Sequence, residues 1–186
     1  IVLNGGIADW TAIDRELAQV DGVMLGRTAY HDPYLLASAD WKVFGDERGV
    51  FVETYRREWF PHGREMVQAN RSDRRAGSVV GLHYHLHQAD YWYVPAGRAR
   101  VVLHDLREGS PTDGNTLVLD LGEDADGSHP HRGVFIPPGV AHGFAALTDM
   151  TMTYLVDGYY NPADELGVAW DDPAIGADWG VTDPVL

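Results

Sequence analysis

Gly81-Leu82-His83-Tyr84-His85-Leu86-His87-Gln88, answered further along the chain by Pro137-Pro138-Gly139-Val140-Ala141-His142-Gly143-Phe144, decides how the rest of the sequence reads. Each stretch sets histidine on a short apolar segment of β type, bounded by glycine or proline. Small barrels converge side chains into their interior in this way. His83, His85 and His87 are two residues apart, so a regular strand puts them on one face. A barrel interior holds three unsatisfied imidazoles only at high cost, so one of them is expected to leave that face at a turn near Gln88. His142 arrives on a separate strand behind the Pro-Pro-Gly turn. The convergence of two distant segments predicts a binding or catalytic cavity in the middle of the chain.

Working outward, strand-type composition or alternation marks residues 49–55, 78–85, 91–94, 99–106, 116–121, 133–136 and 151–156. Between them, 107–115 and 122–132 are loops rich in glycine, proline and acids. Many short strands with no long helical pattern predict an all-β fold, a double-sheet jelly roll or cupin barrel, over residues 40–186. The chain has 186 residues, 45% of them apolar, enough for one good core. Its net charge is 14 − 28 = −14, with the acids scattered rather than blocked. A nucleic-acid backbone is therefore not an expected partner, and an anionic ligand would need local arginines. Cysteine is absent, which excludes a disulfide framework and a thiolate zinc site and fits a reducing compartment. With no apolar run of membrane-spanning length and no signal peptide, the expectation is a soluble cytoplasmic protein without a membrane partner.

Residues 1–39 read differently. Ile1-Val2-Leu3 and Gly22-Val23-Met24-Leu25 are short strand-type runs, and Ala12 to Val20 carries helical spacing between them, a βαβ pattern with its boundary near Ser38 to Trp41. The runs Val2-Leu3-Asn4-Gly5-Gly6-Ile7 and Val20-Asp21-Gly22-Val23-Met24-Leu25-Gly26-Arg27 resemble the last strands of tRNA-dihydrouridine synthases. A lone βαβ unit cannot close a barrel or enclose a flavin, so this fragment is expected to be non-functional alone and to bind none.

Residues 41–180 resemble the dTDP-4-dehydrorhamnose 3,5-epimerase family, the nucleotide-sugar epimerases of the cupin fold. The resemblance is carried by Lys42-Val43-Phe44-Gly45-Asp46-Glu47-Arg48-Gly49-Val50-Phe51-Val52-Glu53, Gln68-Ala69-Asn70-Arg71-Ser72, Gly81-Leu82-His83-Tyr84, Asp105-Leu106-Arg107-Glu108-Gly109-Ser110-Pro111-Thr112, the Pro137 to Phe144 turn, Tyr159-Tyr160-Asn161-Pro162 and Trp170-Asp171-Asp172-Pro173. It implies an isomerase, dimeric and without a cofactor, acting on a dTDP-linked 4-keto-6-deoxy sugar. His83 matches the proton-abstracting base and Tyr154 the proton donor. His142 matches a second active-site histidine, Arg48, Glu53, Gln68, Asn70 and Glu165 match positions that hold the nucleotide sugar, and Tyr160 matches the position that stacks on the thymine. Inverting a carbon beside a ketone needs such a base, such an acid and something to steady the enolate oxygen.

The sequence departs from the family at the enolate. Where the family has an arginine before Gly-Leu-His this chain has Val80, and where it has a lysine in the next turn this chain has Asp90. One preorganised donor of that kind is worth about 3–4 kcal/mol. The family's carboxylate partner for the base is expected beyond Leu186. The same substitutions support a second expectation. His83-x-His85, Asp90, Gly97 and a Pro-x-Gly-x-x-His turn ending at His142 resemble the metal pattern of other cupins, which would make His83, His85, Asp90 and His142 the ligands of one divalent transition ion. Under that reading His83 is a ligand, which prevents it from acting as a free base. A third expectation is a catalytically silent binder of a sugar nucleotide, with Trp92 lining or filling its pocket.

Overall fold

The computed structural model of the chain describes residues 2–4, 22–24, 43–60 and 64–186. Strands β1 (Val2–Asn4) and β2 (Gly22–Met24) pair in parallel, as a βαβ unit requires. The expected helix between them and the expected boundary near Ser38 to Trp41 lie outside the described residues. Strands β3 (Val43–Asp46) and β4 (Gly49–Val52) form an antiparallel hairpin around Glu47 and Arg48. No helix among the described residues is long and apolar enough to cross a membrane.

The remaining strands build two facing sheets. β5 (Gln68–Arg74), β7 (Asp90–Ala96), β10 (Gly133–Ile136) and β12 (Met150–Val156) form one, in the order β10-β7-β12-β5. β6 (Val79–Tyr84), β8 (Arg98–Asp105), β9 (Thr116–Gly122), β11 (Val140–Ala146) and β13 (Leu166–Gly167) form the other, in the order β13-β6-β11-β8-β9. Neighbours within a sheet are seldom neighbours in sequence, which is the crossover pattern of a jelly roll and of the cupin barrel. The core lies between the sheets. Trp92, Val94, Val134, Ile136 and Met152 enter it from the first, and Val101, Leu103, Val140 and Phe144 from the second.

Both outer faces are also covered. Trp179 and Ile175 of the C-terminal segment pack over Val79, Leu82, Val102 and Ala141, and the Trp179 indole donates to the Trp170 carbonyl at 2.9 Å. At roughly 25 cal/mol per Å² and roughly 200 Å² for an indole, that burial contributes about 5 kcal/mol. Phe60 closes the other sheet against Tyr91 and Phe135, with ring centroids 5.0 and 5.4 Å away.

One irregularity positions the cavity. On β6 and β11, His83 pairs with His142, but the next pair inward is Val80 with Phe144, so β6 carries one residue more than its partner. Strict alternation from the inward Val80 would send His83 outward, together with the odd positions of the strand. The bulge resets the phase: Leu82 packs on the outer face, and His83 turns inward opposite His142. Gly143 permits the close approach, since a Cβ there would stand 2.6 Å from the Val80 carbonyl oxygen and 3.0 Å from the Trp179 ring.

The expected strands are present, most within two residues of their predicted ends. β3 and β13 are not among those expected, nor is β5, where Gln68 to Arg74 is polar but for Ala69 and shows no apolar alternation. β5 is the edge strand of its sheet, and the residues it turns inward are polar.

Candidate active site

Three of the histidines cluster. His83 on β6 and His142 on β11 lie with ring centroids 4.2 Å apart, and His85, just past the end of β6, lies 5.3 Å from His83 and 5.6 Å from His142. His87 is exposed, so it is the histidine that leaves the face. From the opposite sheet, Asp90 at the start of β7 points at the same spot, and Trp92 packs edge-on against the His142 ring at 5.1 Å. Trp92 belongs to the interior cluster while lining the histidines, so it serves both readings made of it.

The turn between β6 and β7 is held from a distance. The Asp164 carboxylate accepts the backbone N–H groups of Leu86, His87 and Gln88 at 2.8, 3.2 and 3.3 Å. The Asp164 carbonyl also accepts the Nδ1–H of His85 at 2.7 Å. A carbonyl only accepts, so His85 carries a proton on Nδ1 and turns Nε2 towards Asp90. His142 is set in the same way: Nδ1–H donates to the Val140 carbonyl at 2.8 Å, and its buried Nε2 has no hydrogen-bond partner. Asp90 is 2% exposed and accepts one bond on each oxygen, from the Gln88 amide at 2.9 Å and the Trp92 indole at 3.1 Å.

These surroundings decide charge. Burial, reinforced by His142 and His85, lowers His83 from the ordinary imidazole value to about 4, and burial lowers His142 to about 3. Both rings are neutral at pH 7. Burial pushes the Asp90 carboxyl upward, against the pull of its two hydrogen bonds.

The register places several further sequence candidates. Tyr154 on β12 pairs with Trp92 on one side and Asn70 on the other, so all three share the inner face of the four-stranded sheet, and Tyr154 packs on the interior cluster. Gln68 lies two residues along β5 from Asn70 and donates to its side-chain oxygen at 2.8 Å. Burial, then the charge of Asp90, raises the Tyr154 phenol. Glu165 is exposed near enough to act on His83 and Tyr154 by its charge, and it accepts a hydrogen bond from the exposed Tyr160. Arg48 is exposed on the β3–β4 turn, where Nε meets the Asp46 carboxylate at 3.0 Å, and Glu53 pairs with Arg56 at 2.7 Å. Val80 faces the interior beside the histidines, partly buried and without charge. Sequence reading did not find Asp164 or the holding role of Gln88. Asn161-Pro162 signals a turn, but nothing local to it indicates a clamp on the His85 loop.

Fold and site together define a cupin barrel that brings a cluster of three histidines and an aspartate to its interior, with a tyrosine on the inner face of the four-stranded sheet. The family model described as dTDP-4-dehydrorhamnose 3,5-epimerase matches residues 34–186, and the chain belongs to that family. It is 41% identical over 140 residues to the spore coat polysaccharide biosynthesis protein SpsL of Bacillus subtilis, covering 72% of this chain and 87% of that one. It is 36% identical over 153 residues to the dTDP-4-dehydrorhamnose 3,5-epimerase of Shigella flexneri, covering 78% of this chain and 82% of that one. The crystal structure of a dTDP-6-deoxy-D-glucose-3,5-epimerase from Legionella pneumophila in complex with dTDP-4-keto-L-rhamnose superposes with a TM-score of 0.68 at 34% identity, covering 78% of this chain and 79% of that one. The likeness of residues 1–38 to a flavin-binding barrel gains no support from these comparisons.

Proposed function

We propose that the cavity epimerises a dTDP-linked 4-keto-6-deoxy sugar, with His83 as the base and Tyr154 as the acid. As a member of its family the chain is an isomerase. The observation that carries the residue assignment is that His83 and Tyr154 enter one interior from opposite sheets. Inversion needs a proton taken from one side of the ring and returned on the other, which one wall alone cannot do. The neutral His83 ring removes the proton from a carbon beside the ketone, leaving an enolate. Tyr154 delivers a proton to the opposite side, and solvent reprotonates the phenolate. These transfers move protons only and call for no resident cofactor.

Gln68 and Asn70 present amide groups beside Tyr154, suited to sugar hydroxyls, and His142 backs the sugar behind His83. Tyr160 and Glu165 stand at the rim, where a thymine ring and the nucleoside have room. Arg48 and Glu53 serve the nucleotide end by way of a second copy of the chain. The hairpin that carries Arg48 exposes Phe44, Val50 and Phe51, an apolar surface of the kind a homodimer covers. In this reading the chain works in the cytoplasm and divides between residues 39 and 40, with the amino-terminal fragment taking no part in the chemistry.

The test is deuterium wash-in at the two carbons flanking the ketone, on a dTDP-4-keto-6-deoxyhexose in heavy water. His83→Ala is expected to lose about three decades of exchange, and Tyr154→Phe to keep exchange while losing inversion by about two decades. Exchange undiminished in His83→Ala would remove the assignment.

A further inference from the structure

The polar atoms of the cavity mouth are arranged for something heavier than a proton. One ligand atom from each of His83, His85, Asp90 and His142 lies within 4.8 Å of the other three. His85 Nε2 faces Asp90 Oδ1 at 3.9 Å, and His142 Nε2 faces Asp90 Oδ2 at 3.8 Å. Both imidazoles carry a proton on Nδ1, fixed by the Asp164 and Val140 carbonyls, which leaves Nε2 of each turned towards the carboxylate. The gaps, at 3.9 and 3.8 Å, are longer than hydrogen bonds, and the His142 Nε2 is buried and unpartnered. A buried carboxylate with three imidazole nitrogens within 4.8 Å of it, and no arginine or lysine against it among the described residues, is an expensive arrangement for an apoprotein.

We infer that His83, His85, Asp90 and His142 bind one divalent first-row transition ion. Three imidazoles and a carboxylate are a donor set such ions favour over calcium or magnesium. Bonds of about 2.0–2.2 Å at tetrahedral angles place ligand atoms about 3.3–3.6 Å apart, so the four groups, now within 4.8 Å of one another, close by up to about an ångström to make them. The supporting contacts are those a metal site uses. Two histidines donate their outer N–H to a backbone carbonyl, and the carboxylate is aimed by an amide and an indole. The ion also supplies the positive charge that Val80 and Asp90 do not.

The ion and the proposed proton transfer compete at one atom. A metal bond uses the His83 lone pair that abstracts the proton, so a chain with the ion bound is not a chain with His83 as free base.

The test strips the full chain with chelator and titrates it with cobalt(II), following the visible ligand-field absorption and the metal content by elemental analysis. The expected result is one cobalt per chain. His85→Ala and Asp90→Asn are expected to weaken binding by about 100-fold or more. His87→Ala, which removes the neighbouring exposed imidazole, is expected to leave it unchanged. Since a cavity variant can fail to fold, each is checked for the native melting transition, and Asp90→Asn, nearly isosteric, carries the decision. Substoichiometric cobalt, or equal affinity in Asp90→Asn and the parent chain, overturns the site. Deuterium wash-in run in parallel separates the two readings. Exchange that falls as cobalt fills the site supports the shared use of His83, and exchange unchanged at full occupancy overturns it. A protein that binds cobalt and exchanges nothing in either form sustains the metal site and ends the epimerase assignment.

Discussion

Asp90 and Asp105 are both 2% exposed, and they have opposite surroundings. Asp105, at the end of β8, accepts five hydrogen bonds: from the Arg107 backbone and Nε at 2.9 and 2.8 Å, Arg107 Nη2 at 2.7 Å, Ser110 Oγ at 2.7 Å and Thr112 Oγ1 at 2.5 Å. Burial alone would raise its pKa, but Arg107 and the two hydroxyls outweigh it and hold the carboxyl well below the usual carboxylate range. Asp90 has two neutral donors, and three imidazoles each bring a ring nitrogen within 4.8 Å of its carboxylate. The Asp105 network is complete and fixes a turn. The Asp90 network is left open where a ligand would complete it. Burial of a charged group therefore says little about function until its unfilled bonds are counted.

The contrast is tested most strongly at the closed site. Asp105→Ala strands the Arg107 guanidinium and two hydroxyls and is expected to cost about 2–3 kcal/mol of stability in denaturant titration. The sign with pH follows from the lowered folded-state pKa. The stabilisation is present above the unfolded carboxylate value of about 3.9 and is lost as pH falls through the folded one, so the variant and the parent converge in strong acid. If Asp105→Ala melts like the parent at pH 7, the completeness argument is wrong.

A smaller effect is expected at Asp164, which links the two kinds of site. Asp164→Ala removes the acceptor of three backbone N–H groups in the His85 turn, while the carbonyl that fixes His85 remains. The expected cost is about 1–2 kcal/mol, with faster amide exchange at Leu86 to Gln88 than elsewhere in the chain. Uniform exchange across the barrel would show that the turn does not depend on the clamp. The smallest effect is expected at the open site: Asp90→Asn relieves a buried charge that lacks a cation and is expected to change stability by less than about 1 kcal/mol in metal-stripped protein. A loss as large as that of Asp105→Ala would show that the Asp90 network is already complete.

Much of this was legible before any coordinates. The glycine and proline punctuation marked the strands, and the two histidine segments marked the cavity, because side-chain alternation and turn chemistry are local properties. The departure of one histidine near Gln88 was legible for the same reason, and His87 is the one that leaves. β5 was not legible, because its inward residues are Gln68, Asn70 and Ser72, and an edge strand facing a polar cavity shows no apolar period. Asp164 was not legible because its partners lie 76 to 78 residues away in the chain.

The amino-acid order settled which groups this protein has to work with: an all-β barrel, a histidine pair spaced for one face, a tyrosine on a late strand, and uncharged or acidic residues where its family carries cations. Tertiary structure settled which way those groups point. His83 faces inward because β6 carries an extra residue against β11, and that bulge exists only in the pairing of two strands far apart in sequence. Asp90 meets the imidazoles only because the two sheets close over a common core. Alternation along a strand is a short-range rule, whereas phase, register and the filling of bonds across a cavity are set by contacts between distant segments.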